Sequence, residues 1–243
     1  MTLLRLVNLG RNYGGVAALR GLSLEVAAGE IVGLMGANGA GKTTAFGLIA
    51  GTQRPSAGEI WFDGARIDGL PPAAVNRRGI ARTFQIVRPF GGLSVRENVA
   101  VAALHGSRRE RSPEAAALRA GAILAELGLA DRADDLAETL TLAGRKRLEV
   151  ARALATGPRL LLLDEVLAGL NATEVAEVLD MIRGLHRRYG LTIIVIEHVM
   201  RALMRLARRI VVLHHGEMIA EGAPETIVAD PRVHAAYFGT RAP

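Results

Sequence analysis

Apolar residues recur in short runs typical of strands through the first third of the chain, and a helical period replaces them in the middle. Leu3–Gly10 alternates between apolar and polar residues, and two β-rich runs flank the Ala-Ala-Gly turn of LSLEVAAGEIVGLMG. A glycine-rich loop and an apolar-periodic helix from about Lys42 to Ala50 follow. Short strands are predicted at Gly58–Gly64 and Gly79–Gln85, with a short helix that starts at Pro71–Pro72.

Strand signals disappear between Leu93 and Ala155, where Ser112–Leu129 has the pattern of a strong helix with a Ser-Pro-Glu start. We therefore predict an inserted helical subdomain. Beyond it strands and helices alternate again: strand Arg159–Leu163, helix Ala172–Tyr189, strand Leu191–Ile196, a further helix, and strands Arg209–Leu213 and Gly216–Gly222. This alternation predicts an α/β protein with a largely parallel sheet and helices on both of its faces.

The composition limits the class of protein. The chain has 243 residues, half of them apolar, which suffices for one large domain with a sizeable core. It has no cysteine, which excludes disulfides and thiolate metal sites. Its apolar runs are shorter than the roughly 20 residues that span a bilayer, and Arg5 and Arg11 interrupt the N-terminal run. We expect a soluble, cytoplasmic protein without a signal peptide.

The net charge is +6, from 30 Lys and Arg against 24 Asp and Glu. Such an excess is compatible with nucleic acid or an anionic membrane surface as a partner. Basic and aromatic residues are not interleaved, however, and the densest basic run, His105–Ser112, is typical of a solvated loop. We interpret the charge as an arginine-rich composition and expect no nucleic-acid partner.

A phosphate-binding motif stands between the predicted strand EIVGLM and the predicted helix after it. Gly36–Thr44 reads GANGAGKTT and satisfies G-x-x-x-x-G-K-[ST] in the context that the motif requires. Backbone N–H groups in a glycine-rich turn and at a helix N-terminus converge on phosphate oxygens. Lys42 adds a cation near the β- and γ-phosphates, and the Thr43 hydroxyl can ligate Mg²⁺.

Polar groups follow three predicted strands at their carboxyl ends, which is the edge where α/β proteins bind ligands. RLLLLDEV delivers Asp164, suited to hold Mg²⁺ directly or through water, and Glu165, suited to polarise an attacking water. The simpler alternative is an acid pair that caps the next helix. His198 after TIIVIE can bond the γ-phosphate or the water, and Gln85 in RTFQ can contact Mg²⁺ or water, although such residues are more often structural.

In this order, GANGAGKTT, RTFQ, LLLLDE and the histidine after TIIVIE resemble the ATP-binding subunit of ABC transporters, over nearly the whole chain. GGVAAL, ARTFQ, LSVRENV, AGLN and the terminal AYFG are similar to one branch, the ATPases of branched-chain amino acid importers, and there to the larger, RTFQ-containing sister subunit. The resemblance implies an α/β fold with a P-loop NTPase (RecA-like) core, an N-terminal antiparallel β subdomain and an inserted α-helical subdomain. Within a single ABC ATPase domain, 1–243, it implies a nucleotide-binding core at 1–85 and 156–222, a helical subdomain at 86–155 and a C-terminal helical tail at 223–243.

The resemblance also implies roles for individual residues. Glu165, His198 and Gln85 are expected to be catalytic, and Thr43, Gln85 and Asp164 to meet Mg²⁺. The residues expected to bind ATP are Tyr13, stacked on adenine, the phosphate-loop residues Asn38, Gly39, Ala40, Gly41, Lys42, Thr43 and Thr44, and the signature-loop residues Thr141, Ala143 and Gly144. Arg88 and Phe90, in the segment after Gln85, would face the membrane subunit; the alternative is an ordinary loop with one buried aromatic.

Two departures from the family's pattern follow the acidic pair. Val166 stands where proline is common, which removes only a rigid turn, and Asn171 stands where many relatives have aspartate. The second change is typical of this branch.

The third departure is the signature loop. In the family this loop reads LSGGQ or similar, whereas the corresponding residues here are LTLAG, with Gly144 at the position of the glutamine. Thr141 keeps a hydroxyl, but threonine is also a good helix N-cap, and both roles can hold at once. If the position of Ala143 requires a positive φ, alanine costs on the order of 1 kcal/mol there. Arg145 and Lys146 would add positive charge near the phosphate of a second chain. We interpret the loop as a functional variant.

In this family two ATPase subunits enclose ATP between one chain's phosphate loop and the other's signature loop, and closure drives the attached permease. The resemblance therefore implies an ATPase at the inner face of the cell membrane that powers uptake of branched-chain or other hydrophobic amino acids. Its expected partners are transmembrane permease subunits, a second ATPase subunit in a homodimer or heterodimer and, indirectly, a solute-binding protein.

Four alternatives stay open. They are the ATPase of a urea or amide importer, a lipopolysaccharide-export ATPase, a soluble ATPase that acts on nucleic acid or the ribosome, and a pseudo-ATPase that binds ATP only for assembly. Such soluble ATPases usually carry two cassettes or large insertions, which this chain lacks. The intact residues Lys42, Asp164, Glu165 and His198 argue against a pseudo-ATPase.

Overall fold

The computed structural model describes residues 1–85 and 89–238, the side chain of residue 238 excepted. In chain order the strands are β1 (Thr2–Tyr13), β2 (Val16–Ala27), β3 (Ile31–Met35), β4 (Ala57–Phe62), β5 (Ala65–Arg66), β6 (Ile80–Arg82), β7 (Leu160–Asp164), β8 (Thr192–Ile196), β9 (Arg209–His214) and β10 (Glu217–Gly222). The helices are α1 (Lys42–Ile49), α2 (Pro72–Arg77), α3 (Val95–Ala103), α4 (Pro113–Glu126), α5 (Leu142–Ala155), α6 (Ala172–Tyr189), α7 (Met200–Leu206), α8 (Pro224–Ala229) and α9 (Pro231–Phe238). Short 3-10 helices at Ala130–Arg132 and Ala137–Thr139 precede α5.

The chain forms two compact units, Met1–Pro72 with Thr192–Pro243, and Ala73–Leu191. The first unit contains an antiparallel sheet of strand order β2-β1-β4-β5. Cross-strand pairs such as Leu4 with Val26 and Leu6 with Leu24 join buried apolar residues of β1 and β2. The alternation predicted at the start of the chain therefore marks the face of this sheet that lies in the core.

The first unit also contains a set of parallel strands, in which β3 pairs with both β8 and β9, while β10 pairs antiparallel with β9. Every residue of β3 and β8 is buried, as expected for parallel strands covered on both faces. Because parallel strands end at the same edge of a sheet, the loop that begins at Gly36 after β3 and the residue His198 after β8 leave the sheet at one edge.

In the second unit β6 and β7 pair in parallel, and α3, α4 and α5 pack against one another. The Ser112 side chain caps α4 by accepting the Ala115 N–H at 3.2 Å, as the Ser-Pro-Glu pattern predicts. The helix ends at Glu126, before the predicted Leu129, because Gly128 takes a φ of +67° and the Leu129 N–H turns back to the Leu124 carbonyl at 2.8 Å. This is a Schellman ending.

The strand predicted at Gly79–Gln85 is too long. The Thr83 N–H still bonds the Leu162 carbonyl at 2.9 Å, but the next N–H, that of Phe84, donates to the Glu149 carboxylate. The chain therefore leaves the sheet after Thr83, and Gln85 lies in an irregular segment.

Helices α8 and α9 lie in the region predicted as a helical tail. The predicted subdomain boundaries after residues 85, 155 and 222 stay a prediction. Within the described part of the chain, no helix combines the length and apolar character that crossing a membrane requires.

Candidate functional site

The phosphate loop joins β3 to α1 and contains two glycines whose surroundings exclude a side chain. Gly41, the residue before α1, has a φ of +102°, and a Cβ there would lie 2.7 Å from the Ala18 carbonyl oxygen. A Cβ on Gly36 would lie 2.5 Å from the Leu213 carbonyl oxygen. The loop is thus fixed by direct backbone packing at the N-terminus of a helix, where N–H groups attract anions.

The loop encloses its own cation. Lys42 is 5% exposed, and its Nζ donates to the carbonyl oxygens of Gly36 at 2.7 Å and Ala37 at 3.0 Å. The other predicted phosphate-binding residues divide by exposure: Asn38, Gly39 and Thr43 are exposed, Thr44 is half-buried, and Ala40 and Gly41 are buried. The ammonium group is therefore held inside the loop, while the Thr43 side chain faces solvent.

Tyr13, the predicted adenine-stacking residue, ends β1 with its side chain 42% exposed. Its hydroxyl donates to Gln53 Oε1 at 2.5 Å, and the Arg11 guanidinium lies 4.7 Å from the centre of the ring. These contacts hold the ring in one orientation. Stacking on adenine stays a prediction.

Strand β7 ends in a carboxylate that is shielded from solvent and paired with a cation. Asp164 is 1% exposed, its Oδ2 accepts a hydrogen bond from Arg82 Nη2 at 2.7 Å, and its N–H donates to Thr83 Oγ1 at 3.0 Å. The Arg82 side chain is itself only 10% exposed. Because an unpaired buried carboxylate is costly, Arg82 makes this strand end possible. Sequence reasoning missed Arg82, although a charged residue inside an otherwise apolar strand was an available signal.

Glu165 follows directly and has an unusual backbone. Its φ is +50°, the left-handed region, which costs a non-glycine residue about 1 kcal/mol. Its Oε2 accepts a hydrogen bond from Gln85 Nε2 at 2.8 Å. Two of the residues that sequence reasoning singled out are therefore in direct contact, although 80 positions separate them.

Lys146 of α5 holds the backbone of the same two residues. It is 4% exposed, and its Nζ donates to the Glu165 carbonyl at 2.9 Å and, more weakly, to the Gln85 carbonyl at 3.4 Å. The Lys146 ammonium is buried against these carbonyls, and its predicted charge near a second chain's phosphate stays a prediction. Arg145 is also occupied by backbone, since it donates to the Leu140 carbonyl at 3.0 Å.

Glu149, one turn further along α5, contacts the residue before Gln85. Its Oε1 accepts the Phe84 N–H, and its Oε2 has no hydrogen-bond partner within the described ranges 1–85 and 89–238. Burial raises the pKa of the Glu149 carboxyl, against the opposing effects of the Phe84 hydrogen bond and of the cations of Lys146 and Arg152. The residues around Gln85 are thus held from α5 at two points.

The variant signature loop forms the N-terminus of α5. Thr141 is the N-cap, with its Oγ1 accepting the Gly144 N–H at 3.2 Å, so the predicted capping role is confirmed. Ala143 is the second residue of the helix and has helical backbone angles. The cost expected for a positive φ at Ala143 therefore does not arise. Contact of Thr141, Ala143 and Gly144 with nucleotide stays a prediction.

The remaining predicted residues have the following places. His198 is exposed after β8, and Val166 is 1% exposed in the turn after Glu165. Asn171 caps α6 by accepting the N–H groups of the second and third residues after it. Phe90 is 49% exposed, with the Arg152 guanidinium 4.9 Å from the centre of its ring, and Arg88 lies outside the described residues.

The chain matches known proteins over almost its whole length. The ABC transporter family model matches residues 19–168, and the model of the branched-chain amino acid ATP-binding cassette transporter matches residues 217–243. The high-affinity branched-chain amino acid transport ATP-binding proteins LivG of Salmonella typhimurium and BraF of Pseudomonas aeruginosa are 38% and 37% identical to it, over 98% of each chain.

Solved structures of similar fold are ATP-binding cassettes. A nucleotide-free cassette from an ABC transporter superposes with a TM-score of 0.88 at 28% identity and covers 98% of this chain and 99% of its own. A dimeric cassette bound to ADP and phosphate superposes with a TM-score of 0.82 at 25% identity, over 91% of this chain and 99% of its own.

The α/β fold and the phosphate loop define a nucleotide-binding ATPase cassette. The chain belongs to the ABC transporter family, in the branch of the branched-chain amino acid transport ATP-binding proteins. The predicted family, fold class and ATPase activity are confirmed.

The ion pair between Arg82 and Asp164 generates a first prediction. Arg82→Met keeps the length of the side chain but leaves a buried carboxylate unpaired, so we expect a loss of about 3 kcal/mol in the free energy of unfolding. Arg20→Met is the control, because its pair with Glu217 is 3.5 Å long and more than half exposed, and we expect a loss of at most about 1 kcal/mol. Urea unfolding measures both. Equal losses of unfolding free energy in the two variants would show that the buried ion pair stabilises the fold no more than the exposed pair does.

The cap of α5 generates a second prediction. Thr141→Val removes the hydroxyl, so we expect a loss of about 1 kcal/mol in stability. We also expect a decrease in ATP turnover of about tenfold, because the predicted hydrogen bond to a charged phosphate would be lost as well. Thr141→Ser keeps the hydroxyl and should keep both. If Thr141→Val lowers stability but leaves turnover unchanged, the loop is only a helix cap.

Proposed function

We propose that this chain is the ATP-hydrolysing subunit of an importer for branched-chain or other hydrophobic amino acids. The observation that carries the ATPase part is the direct contact between the Glu165 carboxylate and the Gln85 amide, 2.8 Å apart at the end of β7, in a chain whose residues 36–44 form a phosphate loop. The names of LivG and BraF and the match at residues 217–243 support the substrate class.

The proposed reaction is attack of water on the γ-phosphorus of ATP. Backbone N–H groups of the phosphate loop and the Lys42 ammonium hold the phosphates, and Tyr13 stacks on adenine. The Glu165 carboxylate accepts a proton from the water as the new P–O bond forms and ADP leaves. The Gln85 amide orients that carboxylate, and His198 donates a hydrogen bond to the γ-phosphate.

Thr43, Gln85 and Asp164 would hold Mg²⁺ in this site. Their donor set fits the ion, because hydroxyl, amide and carboxylate oxygens are the ligands that Mg²⁺ prefers beside phosphates. Arg82 keeps the Asp164 carboxylate fixed at the end of the strand for this purpose. When bound, the ion neutralises phosphate charge.

The proposed active form contains two ATPase subunits, either two copies of this chain or this chain with a sister subunit. A related cassette forms a dimer with ADP and phosphate bound, which supports this part. In the proposed dimer Thr141 and the N-terminus of α5, with Ala143 and Gly144, face the γ-phosphate held by the other subunit. The two roles of Thr141 are compatible, because a hydroxyl that accepts one hydrogen bond can donate another.

The proposed membrane contact is the segment that contains Arg88 and Phe90. A half-exposed aromatic ring whose face lies near a guanidinium, as in Phe90 with Arg152, is suited to a protein interface. Permease subunits would bind there at the inner face of the cell membrane, and a solute-binding protein would act through the permease.

The general-base role generates the third prediction. Glu165→Gln keeps the shape of the side chain but cannot accept the proton, so we expect ATP affinity to stay within about twofold, turnover to fall at least about 100-fold and an ATP-bound dimer to accumulate. Turnover, nucleotide binding and size-exclusion chromatography with ATP measure these effects. Glu225→Gln, an exposed acid on α8, is the control and should behave as wild type. Wild-type turnover in Glu165→Gln would remove the proposed role.

The substrate generates the fourth prediction. We expect the chain, reconstituted in liposomes with its permease and binding-protein partners, to drive ATP-dependent uptake of labelled leucine, isoleucine or valine. Glu165→Gln in the same liposomes should abolish uptake. Uptake of urea or short amides in place of these amino acids, or movement of lipopolysaccharide, would replace the proposed substrate class while keeping the ATPase assignment.

A further inference from the structure

Lys146 is a buried cation whose hydrogen bonds join three parts of the second unit. Its Nζ lies 2.9 Å from the Glu165 carbonyl and 3.4 Å from the Gln85 carbonyl, and the residue itself belongs to α5. At 4% exposure it is shielded from solvent. The hydrogen bonds of its ammonium group go to the protein backbone.

The Glu165 carbonyl needs such a partner. Glu165 has a left-handed φ of +50°, a conformation that persists in a non-glycine residue only where its surroundings hold it. A charge-assisted hydrogen bond to the Glu165 carbonyl is a contact of that kind. This hydrogen bond fixes the peptide that follows the proposed general base. It thereby fixes the direction in which the Glu165 side chain projects from the backbone.

Helix α5, which contains Lys146, also makes a second contact with the segment before Gln85 and begins at the signature loop. Glu149, three residues after Lys146 and on the same face, accepts the Phe84 N–H. Thr141 begins the helix as its N-cap. One rigid helix thus connects the signature loop at its N-terminus with the backbone of Gln85 and Glu165 one turn later.

The choice of residue at 146 is also unusual for this composition. The chain has 30 Lys and Arg in total, and lysine occurs only at positions 42 and 146. Both lysines are buried, with Nζ donating to backbone carbonyls. A compact ammonium on a slim stem suits a narrow place between two carbonyl groups.

We propose that Lys146 is a positioning residue for ATP hydrolysis, which holds the Glu165 and Gln85 backbone so that their side chains meet and which ties them to the signature loop through α5. This inference rests on the proposed role of Glu165. It assigns Lys146 to turnover and not to nucleotide binding, because its contacts lie at the residues expected to act on the water.

The test is a kinetic comparison of Lys146→Met, Lys146→Arg and wild type in the complete transporter. We expect Lys146→Met to lower kcat for ATP at least about tenfold while KM stays within about twofold, since only positioning is lost. Lys146→Arg retains a cation and donors on a bulkier planar group, so it should lower kcat less than Lys146→Met does without restoring the wild-type value. Arg119→Met, which removes a shielded cation paired with Glu110, is the matched control and should leave kcat unchanged.

Thermal unfolding accompanies the kinetics, and Lys146→Gln replaces Lys146→Met in the comparison if the latter does not fold. A kcat within twofold of wild type in the neutral variant would overturn the proposal. So would a loss confined to KM.

Glu165→Gln, measured in parallel, separates the two proposals. If it keeps wild-type turnover, the general-base role fails, and the positioning role fails with it. If it is inactive while the neutral variant of Lys146 is active, the positioning role alone fails.

Discussion

The ion pair between Asp164 and Arg82 is the interaction on which the site depends, because it allows a carboxylate with 1% exposure to end an apolar strand. The guanidinium comes from the neighbouring parallel strand, where Arg82 pairs in register with Leu162. Strand pairing and charge compensation therefore arise together. Glu165 is the next residue along the chain. The ion pair that fixes the end of β7 therefore also fixes the backbone position from which the side chain of the proposed general base extends.

Structural elements that are determined by residues close together in the chain could be predicted from the sequence. The phosphate loop combines glycines, a lysine and a following helix within nine residues, and its backbone packing explains why Gly36 and Gly41 are needed. The apolar runs of β3 and β8 predicted strands, both of which are buried, and the Ser-Pro-Glu start predicted the cap of α4. The threonine of the variant signature loop was predicted as an N-cap, and it is one.

The partners that lie far apart in sequence could not be predicted. Nothing near Lys146 in the chain indicates that its ammonium turns inward to Glu165, because that direction is set by the packing of α5. Sequence reasoning assigned its charge to a second chain for the same reason. The early end of β6 also follows from a distant group, the Glu149 carboxylate that takes the Phe84 N–H. Polar residues in a core are placed by tertiary contacts, which local patterns do not contain.

The proposed ATPase site is tested most directly by a structure of the chain with a non-hydrolysable ATP analogue and Mg²⁺. We expect the phosphates to bind the loop of residues 36–44, the Lys42 ammonium to move from the carbonyls of Gly36 and Ala37 to the phosphates, and Glu165 to lie one water molecule from the terminal phosphate. Nucleotide bound away from this loop would contradict the proposed site. So would a Glu165 carboxylate too distant from the terminal phosphate for one water to bridge.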